Sequence, residues 1–247
     1  MGVNNKTYGT LYLIPTTLGE SAPLEVLPIS IKRAVENIDY YIVENEKTAR
    51  KFIKSISTGK SQRNLHFETL NKFTEVFELP NYLEPCLNGI DIGLLSEAGC
   101  PAIADPGAAI VRIAHEKKIK VVPLVGPSSI LLAMMASGMN GQNFAFNGYL
   151  PIDNLERKKA IKKFERISRE IGQSQIFIET PYRNDKLLAE FIKSLNPATE
   201  LCIAIDISLQ TESIHTKSIK EWSETYIDLH KRPSIFIIQA SKNRLFY

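Results

Sequence analysis

Leu94-Leu95-Ser96-Glu97-Ala98-Gly99-Cys100-Pro101-Ala102-Ile103-Ala104-Asp105-Pro106-Gly107 is the stretch whose reading decides the fold. Its first residues close the apolar run Ile90–Leu95, which reads as a buried strand. Ala108–Lys117 beyond it reads as a helix. The stretch is thus a strand-to-helix crossing at the carboxyl end of a strand, where open α/β sheets generally bind ligands. Ala98 and Gly99 let a ligand approach the backbone, while Pro101 and Pro106 stiffen the loop. Asp105 is placed to cap the helix beginning near Gly107. Taken alone, the loop is equally well explained as a structural connection.

Working outward, extended and helical patterns alternate. On the N-terminal side, Thr10–Ile14 and Tyr40–Val43 read as short strands, Ile31–Ile38 as the continuation of an amphipathic helix and Glu46–Ile56 as a helix with one apolar side. Asn71–Leu87 looks helical but is broken at Pro80 and Pro85. On the C-terminal side, Lys120–Leu124 is a strand and Ser128–Ser137 a helix, entered at Pro127 and left at Gly138. That helix is apolar nearly all round and is expected to be buried. The alternation then restarts: strand Phe144–Asn147, helix Leu155–Ile171, strand Gln175–Glu179, helix Asp185–Leu195, strand Glu200–Ile205. Ser213–Thr216 is a short extended piece, Lys220–Leu229 a candidate helix and Ser234–Gln239 a last strand. This predicts an α/β protein of two αβα domains with largely parallel sheets, residues 1–125 and 126–247, and a ligand cleft between them.

Composition narrows the class. The chain has 247 residues, 44% hydrophobic and 23% charged, which is ordinary for a globular protein. Its net charge of +3 neither demands nor excludes a polyanionic partner. Basic residues cluster at Lys47–Lys54, Arg157–Lys163 and Lys231–Arg232, each readable as a solvated face. Cys86, Cys100 and Cys202 have no metal-ligand or disulfide spacing, which fits a reducing cytosol. Met1–Lys6 lacks a signal peptide's apolar core and the myristoylation pattern. The longest apolar run, Ile130–Ala136, is too short for a membrane span. A cytoplasmic protein with neither membrane nor metal is expected. No phosphate loop, GxGxxG fingerprint, HExxH or GxSxG elbow occurs, and His66, His115, His215 and His230 show no ligand spacing.

Three further loops follow strands. Pro15-Thr16-Thr17-Leu18-Gly19-Glu20 leaves the first strand. Val125-Gly126-Pro127-Ser128-Ser129 is a tight turn whose serines could cap the next helix or bond a ligand. Glu179-Thr180-Pro181-Tyr182-Arg183 follows a strand of the second half. Convergence of four such loops says more than any one of them.

In this order and spacing, the loops resemble the tetrapyrrole methylase superfamily of class III methyltransferases, and most of all its ribosomal branch, ribosomal RNA small subunit methyltransferase I. That branch's ATPIGN corresponds to Ile14–Glu20, its EDTR to Glu44-Asn45-Glu46-Lys47, and its SDAGTPxISDPG to Ser96–Gly107. PLPGPSA corresponds to Pro123–Ser129, ALxxSGL to Ala133–Met139, FxFxGFLP to Phe144–Pro151 and ESPHR to Glu179–Arg183. The resemblance spans about Thr10 to Arg183. Departures are Glu97 for Asp, Cys100 for Thr, Asn45 and Lys47 within EDTR, Asp206–Gln210 for a later RELTK, and a small insertion at Ser21–Leu27 on the substrate side.

The resemblance implies a homodimer that binds S-adenosyl-L-methionine and methylates ribosomal RNA, in the small subunit, at a ribose 2′-oxygen. It places the cofactor against Pro15, Thr16, Ser96, Gly99, Cys100, Ile103, Ser128 and Ser129, with Thr180 and Ala204 from the second domain. A hydroxyl acceptor needs deprotonation or a strong hydrogen bond, for which Glu44, Glu97 and Glu179 are candidates. Lys47 and Arg183 are candidate anchors for phosphate or developing charge. Two alternatives stand beside it: a tetrapyrrole or other small-molecule methylase, which the weak overall basicity favours, and a non-catalytic S-adenosylmethionine-binding protein.

Overall fold

The computed structural model describes residues 7 to 240. The expectations about Met1–Lys6 lie outside the described residues. The chain divides into two compact units, Met1–Ser128 and Ser129–Tyr247.

In the first unit, β1 (Thr10–Ile14), β2 (Tyr40–Val43), β3 (His66–Thr69), β4 (Ile92–Leu95) and β5 (Lys120–Pro123) form a sheet in the order β3-β2-β4-β1-β5. Every pairing in it is parallel. The connections are α1 (Pro23–Val26), α2 (Ile29–Asn37), α3 (Glu46–Ile56), α4 (Glu84–Leu87) and α5 (Gly107–Glu116). Side chains alternate across the strands, so the sheet feeds two cores. Ile14, Val43 and Leu95 pack with Ile31 and Val35 of α2 and Ile53 of α3 on one face. Leu11, Ile42 and Leu94 pack with Ile110 and Ala114 of α5 on the other. β1 and β4 are neighbours in register Ile14 to Leu95, yet their outgoing connections cover opposite faces. That arrangement opens a crevice at their carboxyl ends, the switch point of a doubly wound sheet.

Two sequence expectations change here. β3 was unforeseen: His-Phe-Glu-Thr is a half-exposed edge strand with a single apolar side chain. Residues 71–78 are turns rather than helix. Thr74 Oγ1 donates to Thr69 O, and Asn71 Oδ1 accepts from Phe73 N, so side chains take the bonds a helix would use. Only the short α4, preceded by a 3₁₀ turn at Leu79–Leu83, remains of that helix.

The second unit begins with α6 (Ser129–Ser137) and continues through β6 (Phe144–Tyr149), α7 (Asn154–Ile171), β7 (Ser174–Ile178), α8 (Asn184–Ser194), β8 (Glu200–Ile205), β9 (Ser213–Ser218), α9 (Ile219–Ser223) and β10 (Ser234–Gln239). The sheet order is β6-β7-β10-β8-β9. β6 and β7 are parallel, while β10 enters antiparallel between β7 and β8, and β9 is antiparallel to β8. The expectation of largely parallel sheets thus describes the first sheet, and the second is mixed because Ser234–Gln239 returns into its centre. Phe177, Phe191, Phe236 and Trp222 build its core. The helix expected over Lys220–Leu229 stops at Ser223, where Ser223 and Thr225 hydroxyls bond the carbonyls of Lys220 and Glu221.

α6 is not buried all round. Ala133, Met134 and Ser137 face the sheet, whereas Leu131 is 52% and Met135 79% exposed. A helix lying on one sheet face covers only one of its own sides, however apolar the other.

Candidate functional site

Three loops leave the crevice edge of the first sheet and are fastened to one another mainly through their backbones. Thr16 N donates to Gly99 O at 3.0 Å, and Thr16 Oγ1 donates to Ser96 O at 3.3 Å. Ser96 Oγ turns inward to Gly99 O at 3.1 Å. A methyl group on Gly126 would lie 2.2 Å from Pro15 Cβ, so the third loop can pass the first only as glycine. Gly99 holds φ +73° and packs against Leu18 and Pro127 O. The Cys100 thiol donates to Pro127 O at 3.3 Å, and burial pushes its pKa up, so it acts as a neutral tie rather than a thiolate. Gly126–Ser128 therefore go with the first unit, although the sequence reading set the division after Val125.

Within the long loop, Ala102 and Ala104 both adopt left-handed backbone, at φ 66° and 62°. Asp105 maintains this bend. Its carboxylate accepts from Ala102 N through both oxygens, at 2.9 and 3.0 Å, and from Gly107 N at 2.7 Å. It thus reaches the first turn of α5 from just outside the cap position, which Pro106 occupies. Ile103 is left 54% exposed on the loop. Exposed apolar surface beside bare backbone suits a flat, partly apolar ligand.

Next to this edge lies a pocket of about 470 Å³ lined by residues including Thr16, Leu18 and Ser21 of the first loop, Thr48, Phe52 and Ser55 of α3, and Leu95–Glu97. Asn45 caps α3 by accepting from Lys47 N and Thr48 N, which turns Thr48 towards Glu97. Thr48 Oγ1 donates to Glu97 Oε1 at 2.6 Å. Glu44 Oε1 accepts from Glu97 N at 3.2 Å. Desolvation, with the charges of Asp105 and Glu97 adding to it, raises the Glu44 pKa from its ordinary value against the opposing pull of that N–H. Ser21 Oγ is buried without a hydrogen-bond partner among the described residues, a group a ligand could satisfy. Lys47 is exposed. Thr48 and Ser21 were not singled out from sequence. The Asn-x-x-Thr cap pattern was the signal for Thr48, and Ser21 had none beyond its place in the insertion.

The corresponding edge of the second unit is built from charges. Glu179 is 8% exposed, and its Oε1 accepts from Arg183 Nη2 at 2.6 Å, from Arg183 Nε at 3.0 Å and from Thr180 N at 2.7 Å. Asp206, at φ 49°, accepts from Arg232 Nε at 2.8 Å and Thr211 Oγ1 at 2.8 Å. Lys231 N donates to Pro181 O at 3.2 Å, joining the two loops. Ala204 is 0% exposed in the middle of β8, paired with Ile235 and Ile214. Ser129 and Thr180 are partly exposed. Pro15, Thr16, Ser96 and Gly99 are buried, so their contribution to a ligand is mainly the shape of the loops they hold.

A scan against protein-family models finds no match. Among solved structures, the fold matches the methyltransferase CobJ with a TM-score of 0.63 and 13% identity, over 94% of each chain. It also matches a uroporphyrin-III C-methyltransferase from Thermus thermophilus complexed with S-adenyl homocysteine, at 0.59 and 14%, over 94% of this chain and 97% of that one. The chain has the tetrapyrrole methylase fold. Among curated proteins, this tetrapyrrole methylase-fold chain is 27% identical to a ribosomal RNA small subunit methyltransferase I of Vibrio cholerae, over 85% of this chain and 69% of the relative. A protein of the same name from Escherichia coli O157:H7 is 26% identical over 96% of the chain and 80% of the relative. Among the described residues no helix is long and apolar enough to cross a membrane. The described residues hold no cluster of His, Cys, Asp or Glu suited to a metal ion.

Proposed function

We propose that this protein is an S-adenosyl-L-methionine-dependent methyltransferase that modifies small-subunit ribosomal RNA at a ribose 2′-oxygen. The observation that carries the reading is the crevice edge of the first unit, where Gly99 and Gly126 let three loops close on one another and Ile103 stands exposed. When bound, the cofactor supplies an activated methyl group on a sulfonium. The protein's part is chiefly alignment, because in-line displacement depends on holding acceptor, carbon and sulfur in position. The 470 Å³ pocket beside Ser96 and Glu97 is the acceptor side.

Glu44 is the general base of this proposal, since burial favours its protonated form and makes it a stronger base than an ordinary carboxylate. Glu97 positions it through the backbone N–H and is held in turn by Thr48. Lys47 and Arg183 are anchors for phosphate, with Glu179 orienting Arg183. The reading includes a cytoplasmic location and a homodimer, the latter supported by the apolar side chains of Leu131 and Met135 that α6 leaves exposed.

The test is transfer of labelled methyl from S-adenosylmethionine to small-subunit particles and to their free RNA. Label in an alkali-resistant dinucleotide is the expected result, because 2′-O-methylation blocks cleavage at that ribose. Formation of S-adenosylhomocysteine with a tetrapyrrole, and no labelled RNA in either form, overturns it.

A further inference from the structure

α7 carries seven cations against three carboxylates, a net +4 on one helix in a chain whose total is +3. The rest of the molecule is therefore close to neutral, and its basicity is concentrated rather than weak. The helix buries Arg157, Ile161, Glu165 and Ser168 against the second unit's sheet. Lys158, Lys159, Lys162, Lys163, Arg166 and Arg169 are all exposed.

Their spacing is not the one that stabilises a helix. Elsewhere in the chain, several helical cations have a carboxylate four residues away, as Lys32 with Glu36, Arg50 with Glu46 and Arg112 with Glu116, although α3 also sets Lys47 before Lys51 and Arg50 before Lys54. On α7, Lys158 precedes Lys162, Lys159 precedes Lys163, and Lys162 precedes Arg166, so cation follows cation, which weakens an isolated helix. Among the described residues, the ion pairs of α7 lie at its C-terminal end, Arg166 with Glu170 at 3.9 Å and Arg169 with Glu165 at 3.7 Å. The Glu165 carboxylate is already occupied by Asn196 N and Thr199 Oγ1, both at 2.6 Å. Lys158, Lys162 and Arg166 rise along one side at about 6 Å per step, a ladder of charges rather than a point. Beside it runs a groove of about 490 Å³ between Lys162–Arg169 and the turn Leu195–Pro197.

We propose that the exposed face of α7 is a docking surface for the phosphate backbone of RNA, separate from the residues that bind cofactor and acceptor. The inference rests on the RNA reading given above. Phosphate contacts position a nucleic acid without reading its sequence, so this face would set affinity and orientation while the pocket sets the target. Charge complementarity favours a polyanion over a protein partner, because the outward side of the helix presents lysine and arginine with no large apolar side chain at its centre.

The experiment compares the full-length protein with a variant carrying Lys158→Gln, Lys162→Gln, Lys163→Gln and Arg166→Gln. A control removes the same charge elsewhere, as Arg33→Gln, Lys54→Gln, Arg112→Gln and Lys120→Gln. Equilibrium binding to a small-subunit RNA transcript is measured from 50 to 200 mM salt. Four lost phosphate contacts are expected to reduce the slope of log affinity against log salt by about 3, with affinity falling at least tenfold at low salt. The control changes the slope by less than 1, and S-adenosylmethionine binding by calorimetry is unchanged in both variants. Equal slopes for the α7 variant and the control overturn the docking surface while leaving the methyltransferase reading intact. A wild-type protein that binds cofactor but no RNA overturns both. An unchanged RNA slope with lost retention on an acidic protein column assigns the face to a protein partner and overturns the proposal as well.

Discussion

The two loop edges of this molecule are made of different materials. In the first unit, Thr16 meets Gly99 backbone to backbone and Gly126 lies close against the Pro15 ring, while among the described residues the carboxylates of Glu44 and Glu97 accept only from an N–H and a hydroxyl. In the second, Glu179 and Asp206 are committed to Arg183 and Arg232 and hold the loops in shape. Apart from Asp105, which braces its own loop, the first edge keeps its carboxylates available because the loops are joined by peptide groups and small residues. The second uses its charged groups as the fastening. In the proposed function, chemistry belongs to the first edge and rigidity to the second, and each variant below tests one side of that division.

The largest effect is expected at Glu44. Glu44→Gln keeps the shape and the acceptor oxygen facing Glu97 N while removing the base. General bases contribute on the order of 10²- to 10⁴-fold, so kcat should fall by at least 10² with cofactor affinity little changed. The acid limb of the pH–rate profile should vanish with it. A variant with near-normal kcat moves the base to Glu97, which Glu97→Gln then reveals.

Gly126→Ala comes next. A methyl 2.2 Å from Pro15 Cβ forces two loops apart, a form of overpacking that costs about 1–3 kcal/mol. Calorimetry should show S-adenosylmethionine binding weakened by about tenfold or more, since the displaced loops are the ones that shape its site. Unaltered affinity would mean the crevice edge is not where the cofactor lies.

Glu179→Gln tests the other edge. Arg183 would keep one neutral acceptor and lose a charged one, at a side chain about one third exposed. Breaking a fully buried pair costs about 3–5 kcal/mol, and solvent access at Arg183 brings the expected loss to about 2 kcal/mol. The melting temperature should drop by several degrees, with kcat nearly kept and the KM for RNA raised. A kcat loss as large as that of Glu44→Gln would make Glu179 part of the chemistry and erase the contrast.

What the sequence revealed follows the same division. The loop Ser96–Gly107, the turn at Gly126 and the strands around them are legible because backbone constraints write themselves in Gly, Pro and branched apolar residues. β3 is hard to see in the sequence because its inward positions are Phe67 and Thr69, so a single apolar side chain marks its alternation. The length of α9 was misjudged because Ser223 and Thr225 end it with hydroxyls, not with glycine or proline. The fastening of Glu179 to Arg183 could be guessed from their spacing of four. That of Asp206 to Arg232, 26 residues apart, could not.

The smallest effect concerns pH, and it probes whether the first edge stores the strain its function requires. Glu44 is held above its ordinary 4.5 in the folded protein, chiefly by desolvation. Below pH 4.5 it is protonated in both folded and unfolded chains, and wild type and Glu44→Gln should differ little. As pH rises past 4.5 the unfolded chain releases its proton first, while the folded protein retains its own. The unfolded state then binds fewer protons, and wild-type stability falls until pH passes the raised folded value. The stability advantage of Glu44→Gln should therefore open between pH 4.5 and that value and stay constant above it, as read by denaturant midpoints at pH 4, 5, 6 and 7. Because Glu44 is partly solvated, the gap should be small beside the kinetic loss. If wild type instead gains on the variant as pH rises, the Glu97 N–H outweighs burial at Glu44. The first edge would then stabilise its carboxylate just as Arg183 stabilises Glu179 in the second.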